Sequence, residues 1–228
     1  MDRKTISRVA ERLSSALERH WTPSYAQEGE DRVLWRLFEG APPGFYVDVG
    51  AHHPTRFSNT YLFYREGWSG ITIDADPAAA PLFARKRPRD LHVCTGVSDE
   101  PGRLTYHRFE AGALNTFDAA VAATRPKTYP TLPPLTVEVT TLAALLREHL
   151  PGGRNIEFLS VDVEGYDLKV LRSSDWSAYR PRYVLAESVG ASIDDLAGDS
   201  CCVFLRSVGY TPFAKTVNTV FYRRGGAP

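Results

Sequence analysis

Four carboxylates stand at the ends of short apolar runs: Asp48, Asp74, Asp162 and Glu187. If those runs are parallel strands, their carboxyl ends share one edge, and ligands of open α/β sheets bind at such an edge. A lone acid there is most simply a helix cap, but four on successive strands point to a shared site. Asp162, Glu164 and Glu187 offer what an unactivated hydroxyl needs in order to become a nucleophile. They provide a base for its proton, or hard oxygen ligands for Mg²⁺ or another divalent cation, with Asp162 and Glu187 as the metal candidates. His52 and His53 are alternative bases that need no metal. Glu164 also reads as an acid at a helix N-terminus, where it favours the dipole without chemistry.

The first strand-turn, Asp48-Val49-Gly50-Ala51-His52-His53-Pro54, lacks the second and third glycines of a pyrophosphate-binding turn. No phosphate loop, HExxH or GxSxG is present either. A nicotinamide-dependent oxidoreductase is therefore disfavoured. A close backbone approach at Gly50 beside an acid suits a ligand bearing an amine. Asp74, 24 residues beyond Gly50, lies where such sheets place the carboxylate that holds ribose hydroxyls. An adenosine without phosphates but with an amino-acid tail is S-adenosylmethionine.

The elements that must position these groups follow from the pattern. Phe45–Val49, Gly70–Asp74, Asp90–Gly96, Glu157–Val163 and Tyr183–Glu187 read as strands. Helix-length segments lie between them at Asn59–Gly67, Pro77–Arg87, Leu142–Leu150, Tyr166–Leu171 and Ile193–Ser207. Alternation of this kind predicts βαβ units and a parallel sheet. Arg103–Phe109 reads as an extra strand, and Tyr210–Val217 with Thr219–Tyr222 as a closing pair. Residues 111–134, rich in proline, read as a loop or a cap over the sheet edge. Ile6, Val9, Leu13, Leu17 and Trp21 predict an amphipathic helix, and Val33, Leu34, Leu37 and Phe38 a second one. The expected division is a helical extension over 1–40 and a catalytic domain over 41–228.

Composition limits the partners. Lys+Arg and Asp+Glu both total 27 in 228 residues, so the balanced charge argues against non-specific nucleic-acid binding. No stretch is long and apolar enough for a membrane span. Cys94, Cys201 and Cys202 form no disulfide framework and read as buried thiols in a reducing, cytoplasmic compartment. Trp68 and Trp176 read as core, and the first amphipathic helix makes a homodimer plausible.

The runs Ser24–Asp31, Tyr46–Pro54, Ser58-Asn59-Thr60, Gly67-Trp68 with Gly70-Ile71, Asn115-Thr116, Asp162-Val163-Glu164-Gly165 and Asn218-Thr219 together resemble the FkbM family of S-adenosylmethionine-dependent methyltransferases. The resemblance spans about residues 24–222, with His52-His53-Pro54 in place of the family's commoner Asn-Asp-Gly. It implies a Rossmann-like class I methyltransferase fold: a mostly parallel seven-stranded sheet flanked by helices. It also implies O-methylation of an acceptor hydroxyl, with bacterial surface-glycan sugars as the suggested context. By position, Asp48 and Gly50 would approach the methionine end of the cofactor, and Ala51, His52 and Asn59 would also contact it. Asp74 would hold the ribose with Ala75 beside the adenine, and Val97 and Ser98 would line the adenine pocket. Asp162, Glu164, Glu187 and His53 would be the catalytic groups. The competing reading is an inactive methyltransferase-like scaffold.

Overall fold

A computed structural model describes residues 22–226. The first amphipathic segment predicted from the sequence lies outside the described residues. Five strands carry the predicted parallel arrangement: β1 (Phe45–Val49), β2 (Ser69–Asp74), β3 (Leu91–Cys94), β7 (Phe158–Val161) and β8 (Tyr183–Glu187). With β9 (Tyr210–Lys215) and β10 (Thr219–Arg224) they form one seven-stranded sheet in the order β3-β2-β1-β7-β8-β10-β9. The pairs from β3 through β8 are parallel, whereas β10 runs antiparallel to both β8 and β9. Strand order reverses between β1 and β7, so the crevice expected of such sheets opens beyond Val49 and Val161.

Two apolar layers hold the sheet. On one face Val47, Val49, Ile73, Leu159 and Val161 pack with Leu142, Leu145 and Leu146 of a helix spanning Leu142–His149. The Thr141 hydroxyl caps that helix by accepting from the Ala144 amide at 3.2 Å. On the other face lies an aromatic layer of Tyr46, Phe63, Trp68 and Phe158. Helix α1 (Glu30–Leu37) joins this layer through Leu34 and Phe38, the Phe38 and Trp68 rings meeting edge-on at 5.0 Å. Trp68 and Trp176 are both buried, as core residues.

Three expectations are corrected. The 111–134 stretch is not merely a loop, because it holds a helix (Ala119–Thr124) and the start of a ten-residue strand, β6 (Thr131–Thr140). With β4 (Gly96–Val97) and β5 (Gly102–Phe109), β6 builds a second, three-stranded sheet in the order β4-β6-β5. Pro133 and Pro134 fall where the β5–β6 register shifts between Tyr106 and Arg108, a bulge that needs no proline N–H. The predicted helix over 193–207 is split into a 3₁₀ turn (Asp194–Ala197) and a helix (Ser200–Ser207). Asp199 caps the latter, accepting from the Cys202 amide at 2.8 Å. All three cysteines are free, but Cys94, on the edge strand β3, is exposed rather than buried. Among the described residues, no helix is long and apolar enough to cross a membrane.

Candidate active site

At the switch point the chain turns at Gly50, whose φ is +84°. A Cβ built there would lie 1.8 Å from the Asp162 carbonyl oxygen, so only glycine lets the β1 and β7 ends approach this closely. The turn then enters a cleft lined by Gly50, His52, Asp74, Ala75, Val97 and Asp162. Asp74 closes its floor. Its Oδ2 accepts the His52 amide at 2.7 Å and its Oδ1 the Asp76 amide at 2.8 Å. Burial pushes its pKa up to about 6, against the pull of those two amides. His52 is held at φ +47° with Nε2 buried and without a partner, and burial lowers its pKa to about 4, so the ring is neutral.

The far wall comes from the second sheet and the arm that follows it. Tyr106 and Phe117 pack ring to ring at 4.7 Å, and both line the cleft with Gly112, Ala113 and Asn115. Asn115 Oδ1 accepts the Phe109 amide at 2.8 Å, fixing the arm against β5. Sequence reasoning assigned neither Tyr106 nor Phe117. The only local signal was the neighbouring Asn115-Thr116 pair, inside a stretch read as irregular.

Asp162, Glu164 and Glu187 converge as expected, one carboxylate oxygen from each lying within 4.8 Å of the others. Their environments differ. Glu164, at φ +54°, forms an ion pair with Arg125, and its carbonyl accepts the Thr116 hydroxyl at 2.8 Å. Among the described residues, no cation pairs with Asp162 or Glu187. Burial, then the Glu187 charge, raises the Asp162 pKa well above the usual carboxylate range. Burial, then Glu164 and Asp167, pushes Glu187 up to about 8. Two like charges so close resist joint ionisation, and the pair retains a proton near neutrality.

This cluster sits at the junction of three cavities. Asp162 and Glu164 border the switch-point cleft. Glu164 and Glu187 border a second cavity, closed by Arg125, Leu168, Val189 and Ser200. Asp162 and Glu187 border a third, closed by Glu28, Glu30, Phe57, Asn59 and Asn218. That third wall joins distant parts of the chain: Asn218 donates its backbone and side-chain N–H groups to Glu28 at 2.8 and 2.7 Å. Glu30 accepts the Thr216 hydroxyl at 3.1 Å.

Other predicted site residues are placed elsewhere. Asp48 is buried on the aromatic face of β1, accepts Thr60 Oγ1 at 2.6 Å and does not line the cleft. Burial raises its pKa, with the Thr60 bond opposing. His53 Nδ1 accepts the Thr55 and Arg56 amides, each at 3.1 Å, which ties up that nitrogen in the turn. Asn59 donates to Ser160 Oγ at 3.0 Å and reaches only the third cavity. Ala51 is buried against Ala79 and Phe83. Ser98 donates to Asp99 at 2.9 Å, outside the cleft.

The sheet order, with its antiparallel strand inserted next to the edge and its switch-point cleft, is that of the class I S-adenosylmethionine-dependent methyltransferases. The family described as the methyltransferase FkbM domain matches residues 48–211, which covers the β1 turn, the cleft and the acid cluster. The chain belongs to the FkbM methyltransferase family. Solved structures resemble it only distantly. A TehB-like SAM-dependent methyltransferase from Corynebacterium glutamicum is 12% identical with a TM-score of 0.39, covering 97% of each chain. A 1,6-didemethyltoxoflavin-N1-methyltransferase from Burkholderia thailandensis, determined with S-adenosylhomocysteine bound, is 13% identical with a TM-score of 0.42. That match covers 98% of this chain and 86% of the other. A search of curated proteins gave no match.

Proposed function

We propose that the enzyme transfers the methyl group of S-adenosylmethionine to a hydroxyl, with a sugar of a bacterial surface glycan or related glycoconjugate as the acceptor class. One observation carries this reading: the unpaired Asp162–Glu187 carboxylates open both toward the cofactor cleft and toward two further cavities. In the cleft, the Asp74 carboxylate takes the ribose hydroxyls, and the Gly50 turn admits the methionine end. Ala75, Val97 and the Tyr106–Phe117 wall enclose the adenine. Methyl transfer from a sulfonium is an in-line displacement that gains most of its rate from alignment. The acceptor oxygen attacks the methyl carbon, the carbon–sulfur bond breaks, and the hydroxyl proton passes to the Asp162–Glu187 pair. A base placed in this way contributes about 10²–10⁴ in rate.

A second reading rests on the same three oxygens. A set of carboxylates alone suits a hard divalent cation. Asp162 and Glu187 would hold it, with Glu164 already engaged by Arg125. Such an ion would stabilise the alkoxide form of the acceptor.

The test is release of S-adenosylhomocysteine from S-adenosylmethionine over a panel of hexoses, 6-deoxyhexoses and their alkyl glycosides. Asp162→Asn and Glu187→Gln should each lower turnover by about 10²-fold or more while leaving S-adenosylhomocysteine affinity within about threefold. Full activity in both variants would remove the catalytic assignment. Prolonged chelation followed by Mg²⁺ restoration separates the two readings: an unchanged rate leaves the base, and a lost and restored rate selects the ion.

A further inference from the structure

The two further cavities at the acid cluster differ in size and in what their walls leave unpaired. The second encloses about 380 Å³ and the third about 10 Å³, so of the two only the second has room for a small-molecule ligand. Four carboxylates line it, those of Glu164, Asp167, Glu187 and Asp199, against one cation, Arg125, among the described residues. Glu164 is held by Arg125. Asp199 is satisfied at both oxygens, by the Ser188 hydroxyl and the Cys202 amide, each at 2.8 Å. Asp167 is only half satisfied. It is 4% exposed, its Oδ2 accepts the Gly165 amide at 3.2 Å, and its Oδ1 is buried with no partner among the described residues. Asp167 opens the short helix Asp167–Arg172, and the helix dipole favours an acid in that turn. The dipole does not account for an acceptor buried without a donor, which a fold carries at a cost until something completes it.

The donor that completes Asp167 can be specified by its chemistry. A hydroxyl offers one donor and no charge, whereas a protonated amine offers three donors and the positive charge that these acids lack. A shared metal ion fits less well. Among the described residues, Asp167 stands outside the set of carboxylates whose oxygens approach one another within 4.8 Å, namely Asp162, Glu164 and Glu187. Burial, then the charges of Glu164 and Asp167, keeps Glu187 in its protonated form, so a cation at Asp167 frees Glu187 to accept a proton. We propose that the second cavity is the acceptor subsite and that the acceptor is an amino sugar, its ammonium group on Asp167 and its reacting hydroxyl at Asp162–Glu187. This rests on the methyltransferase reading above and names its acceptor class, with Asp167 as the residue that sets the specificity.

The test uses the full chain loaded with S-adenosylhomocysteine, titrated calorimetrically at pH 7. The probes are methyl glucoside, the methyl glucosides carrying an amine in place of the hydroxyl at C2, C3, C4 or C6, their N-acetyl forms, and methyl glucuronide. At least one amine should bind about tenfold or more tightly than both methyl glucoside and its own N-acetyl form. Asp167→Asn keeps the shape and the Gly165 bond but not the charge. It should erase that preference while S-adenosylhomocysteine affinity stays within about threefold. The comparison of amine with N-acetyl form in wild type needs no variant, so it decides the proposal even where Asp167→Asn does not fold. Equal affinity for amine and N-acetyl forms, tighter binding of the glucuronide, no binding of any probe, or a preference that survives Asp167→Asn overturns the proposal. S-adenosylhomocysteine affinity measured on the same samples separates the failures. If that ligand binds and the amine preference is absent, only the amino-sugar acceptor is lost; if it does not bind, the methyltransferase reading is lost.

Discussion

Two polar clusters flank the central strand β1, and they are built on opposite principles. Behind the sheet, Arg87 is 1% exposed and fully engaged. It pairs with Asp90 at 2.6 Å and donates to the Tyr46 hydroxyl at 2.8 Å and to Thr60 Oγ1 at 3.0 Å. Its guanidinium also lies 5.3–5.5 Å from the Tyr46, Tyr64 and Phe83 ring centres. Thr60 in turn satisfies Asp48, so that buried acid belongs to this network. At the carboxyl edge, Asp162 and Glu187 are crowded by like charges, and the nearby cation serves Glu164. The first cluster spends its charges on holding β1, the helix Ala80–Lys86 and the β2–β3 connection together. Among the described residues, the second leaves Asp162 and Glu187 without a cationic partner. Strain is distributed in the same way: among the described residues, the non-glycine residues with positive φ are His52, Phe57 and Glu164, and each lines a cavity at the carboxyl edge.

The largest expected effect breaks the satisfied cluster. Arg87→Met strands Asp90 and Asp48 in the interior and should cost about 3–5 kcal/mol. Thermal unfolding should then shift down by roughly 10 °C or more. An unchanged melting temperature would mean that the network does not hold the fold.

The next effect belongs to the unsatisfied cluster and appears as pH dependence. Burial raises Asp74 to about 6, and Asp167 and Glu187 to about 8, above their unfolded values. The native state therefore keeps protons that the unfolded chain has already released. That contribution is full below about pH 4 and is lost as pH rises through the folded values. The ligand-free enzyme should be more stable at pH 5.5 than at pH 8, by roughly several degrees in melting temperature. A rise in stability across that window would contradict the assigned protonation states.

A smaller effect isolates Asp74. Ribose hydroxyls donate to its ionised form, so S-adenosylhomocysteine affinity should weaken below pH 6, approaching tenfold per pH unit. Calorimetry between pH 5 and 7.5 reads this directly, and a flat profile would remove Asp74 from the ribose role.

The smallest effect has the opposite sign to Arg87→Met. Glu187→Gln relieves like-charge crowding and should stabilise the ligand-free enzyme by about 1 kcal/mol at pH 8. Destabilisation there would place Glu187 among the structural acids.

The same contrast explains what could be read from the chain. The five parallel strands were legible because each is a short apolar run bounded by glycine or a helix-length segment. The convergence of Asp162, Glu164 and Glu187 was legible because adjacent parallel strands end at one edge. Asp48 was read as facing the cofactor, yet it is one residue short of the β1 end. Alternation along the strand turns it onto the aromatic face, toward Thr60. His53 carried no sign that its Nδ1 would be taken by two turn amides. The second sheet was hidden because Pro133-Pro134 reads as a strand breaker, and only pairing with β5 reveals that both prolines sit at a bulge. With it went the Tyr106–Phe117 wall, and Arg125, whose role arises from its pair with Glu164, 39 residues away.

The central claim is that one cluster holds the fold while the carboxyl edge holds an S-adenosyl cofactor beside unspent acids. The most direct measurement is a thermal-shift comparison of wild type, Asp74→Asn and Glu187→Gln with saturating S-adenosylhomocysteine and, separately, NAD. At a hundred times its dissociation constant, the ligand should add about 2.7 kcal/mol. That stabilisation should appear in wild type and in Glu187→Gln, should be largely lost in Asp74→Asn, and should be absent with NAD throughout. Stabilisation by NAD alone, or an equal S-adenosylhomocysteine shift in Asp74→Asn, would contradict the account.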